Sequence, residues 1–273
     1  MTTRSVVITG AAGGLGAATV RRLSAGGWHV YAADLDFPGL HALGSDRIVP
    51  VAVDVTDEAS VAALAERVSV DTSALDAVVN FAGVLGIGPL VEVEASDFRR
   101  VIDVNLVGGF LVNRALFPLL AAAKGRIVLM SSETGWQTAM PFNGPYAISK
   151  HAVEAYGDAL RRELAMLDVD VVKIQPGAFK TGMVESITSR FEALASRSQH
   201  YGKVLRLAQK RIPQEERRAG NPDDLAALID KVLNARRPRP SYRIHTNPQA
   251  AALNALPTRV VDRLLLTAFR RAR

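Results

Sequence analysis

The chain has 273 residues, 48% of them hydrophobic and 22% charged, enough for a substantial core and ordinary for a soluble globular protein. It contains no cysteine, which excludes a disulfide framework and thiolate chemistry. The net charge of +6 is uneven: from Arg236 onward nine arginines face one acid, Asp262, for +8, while the other residues, 24 basic and 26 acidic, sum to −2, which argues against a nucleic-acid-binding body. No leader sequence is recognisable, no apolar run approaches the roughly 20 residues of a membrane span, and a cytoplasmic protein is expected.

Strand-like and helix-like segments alternate. Ser5–Thr9 is a short β-branched run stopped by glycine, the pattern of a buried strand. Ala17–Ala25 is predicted helical and ends at Gly26-Gly27. Strands follow at His29–Ala33 and Arg47–Val53, then a helix over Asp57–Val68 with an acidic first turn. A fourth strand is predicted at Leu75–Asn80, a long helix at Ser96–Leu120 and a fifth strand at Gly125–Met130. A second long helix covers Tyr146–Leu167, a sixth strand Val169–Gln175, a helix Pro222–Asn234 and a short seventh strand Tyr242–Ile244. Such alternation, with near-continuous apolar strands, specifies an α/β fold: a parallel sheet with helices on both faces. In such sheets ligands bind beyond the carboxyl ends of the strands.

Several distinctive short sequences fall at those ends. Between the first strand and its helix lies TGAAGGLG, Thr9 to Gly16, with four glycines in seven residues. It does not fit G-x-G-x-x-G, because Thr19 sits where the third glycine belongs. Glycines at a strand-to-helix junction let backbone amides approach an anion, and the helix N-terminus adds partial positive charge. Asp34 ends the second strand 18 residues after Gly16. A carboxylate there accepts hydrogen bonds from a ribose 2′-hydroxyl and repels a 2′-phosphate, favouring NAD over NADP, with Asp36 as a substitute.

The spacing Thr-Gly-x-x-x-Gly-x-Gly resembles the short-chain dehydrogenases/reductases, over about residues 4–235. In order along the chain come Asp54 in VDVTD, Asn80-Phe81-Ala82-Gly83 with Phe where the family has a second Asn, and Asn105 in VNLVG. Ser131-Ser132 closes the fifth strand, Tyr146-x-x-x-Lys150 opens the second long helix, and Pro176-Gly177 with Thr181 follows the sixth strand. The stretch from Ser131 to Leu164 and IQPGAFKT resemble the hydroxysteroid and retinol dehydrogenase branch. The resemblance implies a Rossmann-type doubly wound parallel sheet of about seven strands in one domain over 1–273. It implies a dinucleotide held by Thr9, Gly10, Gly14, Leu15, Gly16, Asp34, Asp54, Val55, Asn80, Ala82, Gly83, Tyr146, Lys150, Pro176, Gly177 and Thr181. By the same resemblance Asn105, Ser132, Tyr146 and Lys150 are catalytic, and no metal is expected. One spacing departs: the family's serine lies 13 residues before its tyrosine, which here is Glu133, whereas Ser132 lies 14 before. An extra residue absorbed at Trp136–Pro141 keeps Ser132 in place; Glu133 acting in the substrate pocket is the alternative.

Tyr146 and Lys150, i and i+4, share a helix face. A tyrosine of pKa ~10 becomes a base near neutral pH if the phenolate gains ~3–4 kcal/mol. An ammonium at ~5 Å in an effective dielectric of ~20 supplies about 3 kcal/mol. Tyr146 is thus expected to be the general acid/base and Ser132 to hydrogen-bond the substrate oxygen, while the resemblance implies that Lys150 also holds the nicotinamide ribose and that Asn105 anchors a water linking Lys150 to solvent. His151 is expected to be structural.

Residues 182–220 are longer than a connection needs and suit a substrate lid, with Met183, Val184 and Ile187 toward a bulky apolar ligand and Trp136, Met140, Pro141 and Phe142 opposite. The expected activity is NAD(H)-dependent interconversion of a hydrophobic secondary alcohol and its ketone, steroid-, retinoid- or long-chain-like. The other class of function is a non-catalytic, redox-sensing dinucleotide-binding regulator. A homodimer or homotetramer through the two long helices is implied by the resemblance. The basic extension 236–273 ends in a helix drawn from Pro257 with Val260, Val261, Leu264, Leu265, Ala268 and Phe269 on one half and Arg259, Arg263, Arg270 and Arg273 on the other. It either lies on an acidic membrane surface or packs on its own or a neighbouring subunit.

Overall fold

The computed structural model describes residues 3–210 and 218–270, the side chains of 183–186 and 270 excepted. Seven strands, β1 (Ser5–Thr9), β2 (His29–Asp34), β3 (Ile48–Ala52), β4 (Ala77–Asn80), β5 (Arg126–Met130), β6 (Asp170–Pro176) and β7 (Ser241–Ile244), form one parallel sheet in the order β3-β2-β1-β4-β5-β6-β7. The order reverses direction at β1, whose Val7 pairs with Tyr31 on one side and Val78 on the other. The crevice beyond the carboxyl ends of β1 and β4 is the place such a sheet offers a ligand.

The helices are α1 (Gly14–Ala25), α2 (Phe37–His41), α3 (Glu58–Asp71), α4 (Ala95–Ile102), α5 (Gly108–Ala123), α6 (Gly144–Leu164), α7 (Gly182–Arg197), α8 (Gly202–Gln209), α9 (Pro222–Asn234), α10 (Pro248–Leu253) and α11 (Thr258–Arg270). Successive strand residues point to opposite faces, so the apolar runs feed two cores. Val6, Ile8, Val79, Val128 and Ile174 pack under α1 and α9 with Val20, Leu23, Leu225 and Ile229. Val7, Val78, Ile127, Leu129 and Val171 pack under α3, α5 and α6 with Leu64, Val112, Leu116 and Val153. Each such fully buried aliphatic side chain contributes about 1.5–3 kcal/mol. Local chemistry sets the helix starts: Asp57 accepts the amide of Ala59 at 3.0 Å to cap α3, and Asn221 accepts that of Asp223 at 3.1 Å to cap α9, with Pro222 in its first turn.

Three sequence expectations change. The first helix starts at Gly14, not Ala17, because the glycine loop runs directly into it. The long helix predicted over Ser96–Leu120 is interrupted by a π-turn at Asp103–Val107 centred on Asn105. The helical run Ala95–Ala123 is, by length and composition alone, apolar enough to cross a membrane, with a mean hydropathy of 1.7 over an 18-residue stretch within it, although no such run was expected. Here Leu111, Val112, Leu116 and Leu120 are spent on the sheet, and Val107 and Phe110 face outward.

Candidate active site

At the carboxyl end of β1 the chain turns sharply. Gly10 has a φ of +66°, and a Cβ there would lie 2.7 Å from the Ala82 nitrogen. A Cβ on Gly16 would run into the carbonyl oxygen of Gly10. These glycines press the loop against β4 and start α1 close behind it. Gly13, the N-cap, leaves the first turn without a side-chain cap, so its amides point to whatever fills the adjoining cleft.

That cleft, of about 780 Å³, is lined by Gly10, Gly14, Leu15 and Gly16, by Asp34 and Asp36, by Asp54 and Val55, by Ala82 and Gly83, and by Thr181. Asp34 accepts the Ala12 amide at 2.9 Å and the Asp36 amide at 3.0 Å, fixing its carboxylate beside the glycine loop. Asp36 caps α2 by accepting the Gly39 amide at 3.1 Å. Asp54 accepts both the amide and the hydroxyl of Thr56, which holds its carboxyl below the usual range. An uncapped helix N-terminus for a pyrophosphate and a fixed carboxylate for a diol fit a dinucleotide.

Four residues expected at the cofactor do not line this cleft. Thr9 is buried and its hydroxyl accepts the Ala82 amide at 3.3 Å. Asn80 is buried and donates to Asn113 at 2.8 Å, which donates in turn to the Tyr156 hydroxyl at 3.2 Å. Pro176 ends β6 as a buried residue, and Gly177 lies so close to the His245 carbonyl that no Cβ fits.

Beyond β5 and at the start of α6 the side chains expected to be catalytic gather. The hydroxyls of Ser132 and Tyr146 are hydrogen-bonded. Ser132 Oγ also accepts the Thr134 amide at 3.2 Å as N-cap of the turn Glu133–Gly135. Lys150 is buried, its Nζ donating to the Met130 carbonyl at 2.7 Å and lying 5.6 Å from the centre of the Tyr146 ring. Asn105 is spent on structure: its Oδ1 accepts the Val84 amide at 2.7 Å, and its Nδ2 donates to the Val84 carbonyl and to Ser149 Oγ. Ser149 Oγ donates to the Tyr146 carbonyl at 2.7 Å, tying Asn105 to the first turn of α6. His151 is exposed and bonds back to the Ala147 carbonyl.

The expected electrostatics need correction. Burial pushes the Tyr146 phenol up to about 12; the Ser132 hydrogen bond lowers it and the Glu133 charge raises it further. Burial draws the Lys150 ammonium down to about 8, against the upward pull of Glu154. As pH rises the amine loses its proton before the phenol does, though at neutral pH it still carries most of its charge. The ~3 kcal/mol expected from Lys150 assumed a permanent charge.

The spacing question resolves in space. Ser132 meets Tyr146, while Glu133 turns toward the C-terminal segment and accepts the Asn247 amide at 2.6 Å and the Gln137 carboxamide at 3.4 Å. Asn254, which no motif marked, accepts from the Thr138 amide and hydroxyl and donates to the Trp136 carbonyl. Glu92 accepts from Ser198 Oγ at 2.7 Å and the His200 amide at 3.0 Å, tying the end of α7 to the loop after β4.

An apolar chamber of about 660 Å³ lies between that loop, the Met140–Phe142 segment and α11, lined by Leu90, Met140, Pro141, Phe142, Tyr201 and Phe269 among others. Trp136, expected on this wall, instead lies 3.6 Å beneath the Arg243 guanidinium. The side chains of Met183 and Val184 lie outside the described residues, and Ile187 is half-buried. On α11, Val261 is buried and Leu265, Ala268 and Phe269 are half-buried, so part of its apolar half is turned onto its own body; Val260 and Leu264 stay exposed.

The family model for short chain dehydrogenase matches residues 4–191. This chain is a short-chain dehydrogenase. As such it is an oxidoreductase built to bind NAD or NADP and to act on a small molecule. The short-chain dehydrogenase is 34% identical to retinol dehydrogenase 5 of Mus musculus over 95% of its own length and 87% of that protein's. It is 36% identical to retinol dehydrogenase 16 of Homo sapiens, with the same coverage. The crystal structure of a short chain dehydrogenase/reductase from Burkholderia phymatum in complex with NAD is 26% identical and superposes with a TM-score of 0.79 over 95% of this chain and 94% of that one.

Proposed function

We propose that this short-chain dehydrogenase uses NAD(H) to interconvert a hydrophobic alcohol and its carbonyl compound, with Tyr146 as general acid/base. What carries the proposal is the convergence of Ser132, Tyr146 and Lys150 at the carboxyl end of β5, two strands from the glycine loop. When bound, the oxidised nicotinamide supplies a positive charge and accepts the hydride. Tyr146 Oη takes the proton from the alcohol hydroxyl, or returns it to the carbonyl oxygen in the reverse direction. Ser132 Oγ donates to that same oxygen and stabilises the charge developing on it. Lys150 leaves the Met130 carbonyl for the ribose hydroxyls, and Asn105, its side chain committed, offers a water its backbone carbonyl.

Asp34, already fixed by two amides, supports NAD over NADP. The chamber under α11 supports a bulky apolar substrate, and the 182–220 segment, which reaches the chamber through Tyr201 and Val204, is proposed as its lid, residues 211–217 lying outside the described residues. A secondary alcohol remains our first assignment; the names of the similar retinol dehydrogenases add retinol, a primary alcohol, to the panel. Exposed Val107, Phe110 and Ile148 on α5, α6 and the π-turn support a homodimer or homotetramer. Membrane contact through the outer face of α11 rests on exposed Val260, Leu264 and Leu266 beside Arg259 and Arg263.

The test is absorbance at the reduced-nicotinamide band with steroids, retinoids and long-chain alcohols and both cofactors. Tyr146→Phe should keep cofactor affinity and lose turnover by about 10²–10⁴-fold. Normal turnover by that variant would refute the assignment.

A further inference from the structure

Glu133 occupies the position where spacing alone would place the reactive serine, yet it neither reaches the substrate chamber nor lines the dinucleotide cleft. Its carboxylate accepts the backbone amide of Asn247, 114 residues away, at 2.6 Å, and the Gln137 carboxamide, whose nitrogen also lies 3.4 Å from the Asn247 carbonyl. The same turn is gripped again three residues later, where Asn254 binds Trp136 and Thr138. Ser132, as N-cap, is the first residue of this strapped turn.

We propose that Glu133 is a positioning residue, strapping the C-terminal segment onto the turn that carries Ser132 and setting its carboxylate one residue from the serine that meets the Tyr146 hydroxyl. The inference rests on Tyr146 as the acid/base. The neighbouring charged groups are engaged elsewhere. On α6, Lys150 is held by Met130, His151 by Ala147, and Glu154 pairs with Lys173 of β6 at 2.8 Å. On β7, Arg243 stacks on Trp136, and His245 after it bonds Asp224 of α9 at 2.9 Å. Glu133 is the carboxylate whose field opposes loss of the Tyr146 proton. It thereby favours the phenol, the form that donates a proton to a carbonyl, and moves alcohol oxidation to higher pH.

The experiment is a pH titration of the phenolate absorption band, taken as the difference between the full chain with and without Tyr146→Phe, in wild type, Glu133→Gln and Glu133→Ala. It is run beside turnover of a long-chain secondary alcohol with NAD, with circular dichroism as the check on folding. The Tyr146 midpoint should fall by on the order of one pH unit in both variants. Glu133→Gln still accepts the Asn247 amide, so it should keep turnover, with its oxidation optimum moved to lower pH. Glu133→Ala should lose at least about tenfold in kcat with little change in the KM for NAD. An unmoved midpoint in Glu133→Gln, or wild-type kcat in folded Glu133→Ala, overturns the proposal. Normal turnover by Tyr146→Phe alone would instead refute the acid/base assignment, while the titration would still report on Glu133.

Discussion

The Nζ of Lys150 lies 5.6 Å from the ring centre of Tyr146 but donates its hydrogen bond to the Met130 carbonyl, 2.7 Å away. The two side chains are near enough to act together, yet the amine is satisfied by the backbone and the phenol by Ser132. Under the proposed mechanism, activation of the phenol would depend on charge brought by the cofactor and on the lysine exchanging one partner for another.

Burying Lys150 has a thermodynamic signature. Its folded pKa, about 8, lies below the unfolded value of 10.5, so between these the unfolded chain binds more protons and stability rises with pH. The contribution is complete above the unfolded value and is lost as pH falls through about 8, amounting to about 3 kcal/mol. Chemical denaturation of wild type and Lys150→Met at pH values below and above that window should show wild type gaining on the variant as pH rises. Parallel curves would refute the burial penalty.

Asp34→Asn keeps an acceptor for the Ala12 amide and removes the charge. NAD binding should weaken about tenfold or more and the repulsion of a 2′-phosphate should disappear, raising the NADP-to-NAD ratio of kcat/KM at least about tenfold. Initial rates with the two cofactors measure this directly.

Gly16→Ala sets a methyl group against the Gly10 carbonyl, a backbone atom that cannot swing aside. Overpacking of this kind costs about 1–3 kcal/mol and displaces the start of α1. Thermal unfolding should show the loss, and calorimetry should show cofactor affinity falling with it, whereas Gly27→Ala, where the site is open, should cost only the strain of its positive φ.

Truncation after Pro257 removes α11 and with it Leu265 and Phe269 from the chamber. The KM for long apolar substrates should rise about tenfold with that for NAD unchanged. Co-sedimentation with anionic liposomes is expected to drop in the same variant; equal binding would remove the membrane contact.

The sheet and both core layers were legible because parallel strands buried on two faces leave short β-branched runs such as Ser5–Thr9 that little else produces. The positions of the glycine loop, Asp34, Ser132, Tyr146 and Lys150 at strand and helix ends were legible because short apolar runs and helical patterns bound them, even though the Ser132 spacing departs by one residue. Asn247 and Asn254 were not: their contacts on the Glu133–Thr138 turn span more than a hundred residues and use a backbone amide or a lone carboxamide, which leave no periodic trace. The protonation order of Tyr146 and Lys150 was also hidden, because desolvation depends on what closes over the pair, and spacing along one helix carries none of that.

The strap from Glu133 to Asn247 also fixes an order of events during synthesis. A ribosome delivers β1 through β6 and the whole nucleotide crevice before Asn247 has been polymerised, and loop closure across 114 residues must await it. Until that amide exists, the turn that begins at Ser132 lacks the strap that holds it.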